Sequence, residues 1–268
     1  MTSAETPFTA AGPAVPRRVV HLFGLPFDVT TLDGTVAEIR RACATRRRMF
    51  LSTVNVNFVV QAQRDAAFRQ SLFDSDLCVA DGAPLVWLSR LLGRPLPERV
   101  AGADIFEALR RGSTDAPVSV YFFGGPPGVA ERACAVLRRE CSGVRCVGFE
   151  SPGFGDVASM SRPETIARIN AAAPDFVVVA LGAAKGQAWI QANRDQLVAP
   201  VLCHLGAVVN FVAGNVARAP RWVARSGFEW LWRIAQEPTL FRRYLGDFFA
   251  LLRLLTNELL QARRGRVR

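Results

Sequence analysis

The chain alternates short, continuously apolar segments with longer segments in which apolar residues recur every three or four positions. The short segments, such as VSVYFFG and DFVVVALG, lack the polar alternation of half-exposed strands and look like strands covered on both faces. The longer segments have helical spacing, as with Leu32, Val36, Ile39 and Ala42. This alternation predicts an α/β fold with a Rossmann-like, mostly parallel sheet and helices on both faces. The last predicted strand covers PVLCHLGAVV, residues 200–209.

The pattern changes near residue 217. Residues 217–268 keep the helical spacing but are rich in aromatic side chains, with eleven arginines against four acidic residues. We interpret this part as a C-terminal helical appendage and residues 18–216 as the core. Residues 1–17, rich in Ala, Thr and Pro, are predicted to be a flexible tail. The apolar runs are too short to predict a spanning helix or a signal peptide.

The net charge of +10 and the pI near 10.5 predict an anionic partner, which could be a nucleic acid, an acidic membrane surface or a phosphorylated substrate. All but one of the basic residues are arginines, whose planar fork suits phosphate, although a GC-rich genome would produce the same bias. A nucleic-acid-binding protein lacks support from any RRM, KH or helix-turn-helix signature. A nicotinamide-dependent dehydrogenase is disfavoured because GxGxxG does not follow the first strand.

The six cysteines and two histidines show no zinc-ligand spacing, and no two cysteines form a CxxC pair. Cys78, Cys134 and Cys203 lie in apolar stretches and are predicted to be small core residues. This cysteine usage is typical of a reducing compartment.

Polar residues at the ends of predicted strands are the first candidates for a site, because parallel α/β sheets bind ligands at the carboxyl ends of their strands. Thr53 and Asn55 follow such a run, where they could bind a ligand or satisfy the local backbone. Asp81 follows LCVA and precedes Gly82. A carboxylate there is either a general base or the N-cap of the next helix.

Two glycine-containing turns supply further candidates. In FFGGPPG, Gly124 and its neighbours could turn backbone amides toward a phosphate or could form a plain tight turn. In ALGAAKGQAW, Gly182 ends a strand and is followed by Lys185, the only lysine, and by Gln187. The DSD sequence at residues 74–76 precedes a strand, so it lies at the wrong end of the sheet for a metal-binding DxD motif.

The appendage offers cationic side chains for a pyrophosphate or an anionic lipid, and aromatic side chains for a membrane interface. The alternative is an ordinary helix pair with a charged, solvent-exposed face over an apolar core, which would have the same composition. The arginines are Arg218, Arg221, Arg225, Arg233, Arg242 and Arg243, and the aromatic residues are Trp222, Trp230, Trp232, Phe241, Phe248 and Phe249.

These motifs, in this order, resemble those of the WecG/TagA/CpsF glycosyltransferases over residues 21–244. The resemblance rests on TVN, ADG, ERVAGADI, FFGG and LGAAK in the core. It continues with GAVVNFVAGNVARAPRW, GFEWLWRIAQEP and RRY toward the C-terminus. The ordered set is far more specific than any one of its pieces.

The resemblance implies transfer of a hexose, such as N-acetylmannosamine or glucose, from a UDP-sugar to a polyprenyl-pyrophosphate-linked saccharide in bacterial surface polysaccharide synthesis. It also implies inversion at the anomeric carbon, no required metal or other cofactor, and a peripheral location on the cytoplasmic face of the cell membrane. The implied partners are the two substrates and an anionic membrane surface, with no nucleic acid. Some members of the family form homo-oligomers.

The resemblance also assigns roles by position. Asp81 matches the proposed base, and Thr53 and Asn55 match a polar pair beside the sugars. Arg233 and Arg243 match appendage arginines that hold the donor pyrophosphate, and the appendage closes over the site. The positions to which we assign only shaping of the pocket are Gly82, Arg99, Gly102 and Asp104.

Two departures from the family pattern concern sugar and pyrophosphate binding. Where many members have GAPKQE, this chain has GAAKGQ, so Gly186 takes the position of the glutamine and Gln187 is the nearest substitute. A tail arginine of the family is Leu240 here, and Arg242 is the nearest replacement. We expect these changes to affect sugar and pyrophosphate recognition rather than the class of protein.

Overall fold

The computed structural model describes residues 17–140, 142–220, 223, 229–236 and 240–265. The strands are β1 (Val19–Leu22), β2 (Leu25–Asp28), β3 (Met49–Val54), β4 (Leu77–Ala80), β5 (Val118–Gly124), β6 (Val144–Glu150), β7 (Phe176–Ala180) and β8 (Val201–His204). The helices are α1 (Leu32–Ala44), α2 (Val56–Ala62), α3 (Ala66–Phe73), α4 (Ala83–Leu91), α5 (Gly102–Arg110), α6 (Val129–Arg139), α7 (Pro163–Ala171), α8 (Ala183–Asn193), α9 (Gly206–Val212), α10 (Glu229–Gln236) and α11 (Leu240–Gly265).

Six of the strands form a parallel sheet in the order β4-β3-β8-β7-β5-β6. β3 and β5 are buried along their whole length, which explains their continuous apolar character. The chain passes from β3 to the neighbouring β4 and then crosses to β5, so the strand order reverses beside β3. Such a reversal opens a crevice at the carboxyl ends of the strands. The predicted α/β fold is confirmed.

Helices cover both faces of this sheet. One face packs against α1, α5, α6 and α9 through residues such as Leu51 and Phe122. The other face packs against α2, α3 and α4 beside β3 and β4, and against α7 and α8 beside β5 and β7. Because successive strand residues point to opposite faces, Phe50 and Leu51 belong to different layers of the core.

β1 and β2 form an antiparallel hairpin of their own, outside the main sheet. Asp28, at the end of this hairpin, accepts hydrogen bonds from the Arg17 side chain at 2.6 and 2.8 Å and from the Cys78 amide at 2.7 Å. Arg17, the last residue of the predicted tail, is therefore anchored to the core. The rest of that predicted tail, residues 1–16, lies outside the described residues.

The prediction of one strand over residues 200–209 is wrong. The strand ends at His204, and α9 begins at Gly206. The apolar run continues across this boundary because α9 buries Val208, Val209 and Val212 against the sheet. A buried strand and a buried helix start have the same apolar appearance in sequence.

The appendage is helical in its described parts, α10 and α11. α11 contacts the core at several points. Leu251 joins the core cluster that contains Phe58. The side-chain Nδ2 of Asn57 donates to Asp247 at 3.2 Å, and Glu258 accepts from the Phe23 backbone amide at 2.8 Å. These contacts fix α11 beside α2 and the hairpin.

Burial of Cys78, Cys134 and Cys203 is confirmed. Cys134 in addition forms a disulfide with Cys146, which joins α6 to β6. The cysteine spacing does not reveal this bond, and the bond does not fit our expectation of a reducing compartment.

Candidate functional site

A cavity of about 910 Å³ lies at the carboxyl edge of the sheet, between the ends of β3, β4, β7 and β8 and the helices α10 and α11. Its volume is at the upper end of the range for small-molecule sites. Most of the predicted site residues line it, namely Thr53, Asn55, Asp81, Gly82, Arg99, Gly102, Gly182, Arg233 and Arg243. The predicted residues that lie outside its lining are Asp104, Gly124, Lys185, Gln187 and Arg242.

Asp81 is the first residue after β4, and its backbone amide continues the strand pairing by donating to the Val54 carbonyl at 2.8 Å. Its side-chain Oδ2 accepts a hydrogen bond from the Gly102 amide, the first residue of α5, at 3.3 Å. The N-cap position of α4 is occupied by Gly82, which has no side chain. The alternative of Asp81 as the cap of that helix is therefore wrong, and its carboxylate faces the cavity instead.

Burial raises the pKa of Asp81 to about 6. The neighbouring Arg99 and the Gly102 amide oppose this rise, because both stabilise the carboxylate, whereas Glu229 and Asp104 add to it. A carboxylate with a pKa near 6 is ionised at neutral pH and still binds a proton readily. These are the properties of a general base.

Arg99 connects the core to the appendage beside Asp81. Its Nη2 donates to Asp104 at 2.6 Å and its Nη1 donates to Glu229 of α10 at 2.5 Å. Arg218 binds the other oxygen of Asp104. Asp104 thus stays outside the cavity lining but binds two arginines. The role of Arg99 and Asp104 in shaping the pocket stays a prediction.

Gly102 permits a close approach between α5 and the strand ends. A Cβ at this position would overlap with the Leu205 side chain and would lie 3.5 Å from Thr53 Oγ1. Thr53 is the penultimate residue of the buried strand β3 and lines the cavity. Asn55 also lines the cavity, but its side-chain oxygen accepts from the Phe58 amide at 3.1 Å and caps α2. The local backbone role considered for Asn55 is therefore confirmed, and its amide nitrogen is the group left for a ligand.

The glycine turn after β5 is a tight turn rather than an open row of amides. Gly124 has a φ of +104°, and a Cβ there would lie 2.7 Å from the Ala180 carbonyl oxygen. The Gly125 amide donates to that same carbonyl at 2.8 Å, so it is not available to a phosphate. Gly125 and Pro126 still contribute to the wall of the cavity.

The predicted site residues at the start of α8 and within it do not all face the cavity. Gly182 lines the cavity at the start of α8, whereas Lys185 donates to the Gly155 carbonyl at 2.6 Å. Gln187 is completely buried and donates to Ser52 Oγ at 2.8 Å. Successive side chains on a helix are rotated by about 100°. Because of this rotation, Gln187 points into the core beside β3 and not toward the cavity.

His204 was not predicted as a site residue, yet it lines the cavity at the end of β8. Its ring lies between two glycines: a Cβ at Gly186 would overlap with the ring, and a Cβ at Gly206 would lie 3.2 Å from Nε2. Burial lowers its pKa to about 4, so the imidazole is neutral at physiological pH. The only sequence signal was a single histidine in an apolar strand followed shortly by glycine.

The appendage supplies the cationic part of the cavity wall. Arg233 of α10 and Arg243 of α11 line it, and Arg243 also lies over the Tyr244 ring, with its Cζ 5.4 Å from the ring centroid. Arg242 is exposed and outside the lining. Arg221, Trp222 and Arg225 lie outside the described residues.

The family model of the glycosyl transferase WecG/TagA/CpsF family matches residues 20–265 of this chain. The chain belongs to this family, and it is a glycosyltransferase. An N-acetylglucosaminyldiphosphoundecaprenol N-acetyl-beta-D-mannosaminyltransferase of Bacillus spizizenii is 30% identical over 196 residues, which cover 73% of this chain and 74% of that protein. The protein of the same name in Bacillus subtilis is 29% identical over 195 residues, with the same coverage.

Two properties of the described residues bear on the predictions made from the sequence. None of the helices in the described part of the chain combines the length and the apolar character that a membrane span requires. No group of three His, Cys, Asp or Glu side chains in that part of the chain could hold a metal ion. Asp74 and Asp76 of the DSD sequence are engaged with Gln191 and with the Phe50 amide, at the start of β4. Metal independence stays a prediction.

Proposed function

We propose that this glycosyltransferase moves a hexose from a UDP-sugar to a polyprenyl-diphosphate-linked saccharide with inversion at the anomeric carbon, and that Asp81 is the general base. The observation that carries this proposal is the position of Asp81: a carboxylate with a pKa near 6 at the carboxyl edge of a parallel sheet, in a cavity of about 910 Å³.

The proposed step is a single displacement. Asp81 takes the proton of an acceptor hydroxyl while that oxygen attacks the anomeric carbon of the donor. The bond between the anomeric carbon and the UDP oxygen breaks, and UDP leaves with the electron pair. Because attack and departure occur on opposite faces of the sugar, the configuration inverts. The proton on Asp81 is then released to solvent.

The leaving diphosphate needs positive charge at the moment when the bond breaks. Arg233 and Arg243 line the same cavity and are assigned to this role. Arg242 is not included, because it lies outside the lining. Thr53 and the amide nitrogen of Asn55 are assigned to sugar hydroxyls, since both line the cavity at the end of β3.

The relatives named above guide the choice of substrates. Their names describe transfer of an N-acetylmannosaminyl group to an N-acetylglucosaminyl-diphospho-undecaprenol. For this chain we propose an acceptor of the same chemical class, a saccharide joined through a diphosphate to a polyprenol. N-acetylmannosamine is the first donor sugar to test, and glucose is the next.

The proposal includes peripheral binding to an anionic membrane surface on the cytoplasmic side, where a UDP-sugar and a polyprenyl acceptor can meet. α11 supports this because it exposes Phe249 and carries Arg242 and Arg253. Exposed aromatic and cationic side chains on one amphipathic helix favour an anionic interface. Flotation with anionic vesicles, with and without residues 217–268, tests this part.

The central experiment is a product assay with purified protein, a panel of UDP-sugars and a saccharide-diphosphate-prenol acceptor, followed by NMR assignment of the new anomeric configuration. Transfer with inversion is expected, and EDTA is expected to leave the rate unchanged.

Asp81→Asn should reduce turnover by at least a hundredfold with little change in donor affinity. The matched control is Asp115→Asn, an exposed aspartate away from the cavity. Near-normal turnover of the Asp81→Asn variant would refute the assignment of the base.

A further inference from the structure

The cavity changes character along its length. Near the strand ends it is lined by Asp81, Thr53 and Asn55, whereas farther out its walls are apolar. One apolar wall is α4, where Pro84, Trp87 and Leu88 lie on one side of the helix. The other side of α4 is buried in the core, and Leu88 packs against the edge of that core, whereas Trp87 is exposed.

The facing wall is a stripe along α11. The spacing of three or four residues puts its members on one side of the helix, and at 1.5 Å per residue the stripe spans about 21 Å. Its apolar members are Phe241, Leu245, Phe248, Leu251, Leu252 and Leu255. Several remain substantially exposed, with 57% for Phe248 and 46% for Leu252, and Trp87 on the opposite wall is 47% exposed.

The polar, cationic and apolar parts follow one another in a fixed order. Asp81 lies just before α4, and the apolar residues Trp87 and Leu88 come one to two turns farther along that helix. On α11 the cationic Arg243 lies near the start, and Phe248, Leu252 and Leu255 follow it on the lining side. A ligand that fills the cavity therefore meets a carboxylate, then positive charge, then two apolar walls.

We infer that the groove between Pro84, Trp87 and Leu88 of α4 and Phe248, Leu252 and Leu255 of α11 binds the prenyl units of the acceptor that lie next to its diphosphate. This inference rests on the proposed function. The chemical parts of a saccharide-diphosphate-prenol occur in the same order as the parts of the cavity. The UDP-sugar contains no apolar chain that would use the outer part of the cavity.

The groove predicts a preference that exists without any membrane. The assay compares two acceptors in detergent-free solution, with the same saccharide and diphosphate but with either a farnesyl or a methyl ester. For the unmodified protein, kcat/KM for the farnesyl acceptor should exceed that for the methyl acceptor by about tenfold or more, because the groove removes the chain from water. Equal values for the two acceptors would overturn the inference.

Two variants and two matched controls locate the preference. Trp87→Ala and Leu252→Ser remove side chains from opposite walls, and each should reduce the ratio of the two kcat/KM values severalfold. Leu91→Ser and Leu260→Ser change exposed leucines on the same two helices outside the cavity lining, and they should leave the ratio unchanged. A similar loss in the controls would show general hydrophobic adhesion, and it would also overturn the inference.

The remaining outcomes separate this inference from other uses of the same surface. If the ratio exceeds one only when vesicles are added, the apolar walls bind the bilayer rather than the acceptor chain. If wild-type protein transfers sugar to neither acceptor, the proposed function itself fails and the inference fails with it. Transfer to the methyl acceptor with no farnesyl preference refutes the groove alone. Circular dichroism checks that Trp87→Ala and Leu252→Ser are folded.

Discussion

Arg99 Nη1 lies 2.5 Å from Glu229 Oε2, so an arginine of the core and a glutamate of the appendage share a hydrogen bond beside the proposed base. Both side chains are largely enclosed, with exposed fractions of 17% and 20%. Without Glu229, Asp104 alone would pair with Arg99, and Arg99 would stabilise the Asp81 carboxylate more strongly. Glu229 partly neutralises the positive charge of Arg99 and adds a negative charge near Asp81. Both effects favour the protonated form of Asp81.

The first prediction concerns Glu229→Gln. The charged groups that act on Asp81 are Arg99, Asp104 and Glu229, while His204 in β8 is neutral. Removal of the Glu229 charge should lower the pKa of Asp81, so the acidic limb of the pH profile of kcat/KM should move to lower pH. A purely structural role for Glu229 would reduce the rate without moving the limb.

Glu258→Gln is the matched control for that experiment. Glu258 also joins the appendage to the core, by accepting from the Phe23 amide and from Arg94 at 3.2 Å, but Asp81 is not among its partners. Its replacement should weaken the packing of α11 against the core but should leave the acidic limb of the pH profile at the same pH. If both variants shift the limb equally, the seating of the appendage, and not the charge of Glu229, governs the pKa of Asp81.

The fold and the location of the site were predictable because both depend on patterns that are continuous in sequence. Buried parallel strands are uninterrupted apolar runs, and their carboxyl ends can be read directly from where those runs stop. Asp81 and Thr53 were found in this way. The boundary between β8 and α9 was missed because an apolar run carries no mark where a buried strand becomes a buried helix.

The partners of the site could not be predicted because they come from distant parts of the chain. Glu229 reaches Arg99 across 130 positions, and nothing in the local sequence of either residue shows this pairing. Gln187 and Lys185 were placed near the ligand by their distance along the chain from Gly182. Their side chains follow the rotation of α8 instead, into the core and toward the Gly155 carbonyl.

The second prediction is that the raised pKa of Asp81 costs stability. The folded state holds this proton more tightly than the unfolded chain, in which the carboxyl has its ordinary pKa of 3.8. Ionisation therefore destabilises the protein progressively as pH rises from about 3.8 to about 6, and the cost is constant above that range. Asp81→Asn should raise the free energy of unfolding by about 1 to 2 kcal/mol at pH 7 to 8, allowing for partial solvent exposure. Urea unfolding measures this, and a gain that persists at pH 3 would contradict the explanation.

The third prediction concerns Gly102. Gly102→Ala places a methyl group against Leu205 and close to Thr53, and it displaces the amide that donates to Asp81. We expect a loss of about 1 to 3 kcal/mol in the free energy of unfolding and a marked loss of turnover. Gly246→Ala in α11 is the control, because a Cβ there meets nothing within 4 Å and alanine is the better helix former. Gly102→Ala should affect activity strongly and Gly246→Ala should not; equal effects would mean that the close approach of α5 is unimportant.

The last prediction tests the packing of His204 against Gly186. Gly186→Ala puts a methyl group into the space occupied by the imidazole, so it should destabilise the fold by about 1 to 3 kcal/mol. Removal of the ring in the double variant Gly186→Ala/His204→Ala should relieve that overlap. The two substitutions should therefore show a favourable coupling energy of at least about 1 kcal/mol in a double-mutant cycle measured by urea unfolding. Additive losses would show that the histidine ring yields easily and that the glycine at position 186 is not required by it.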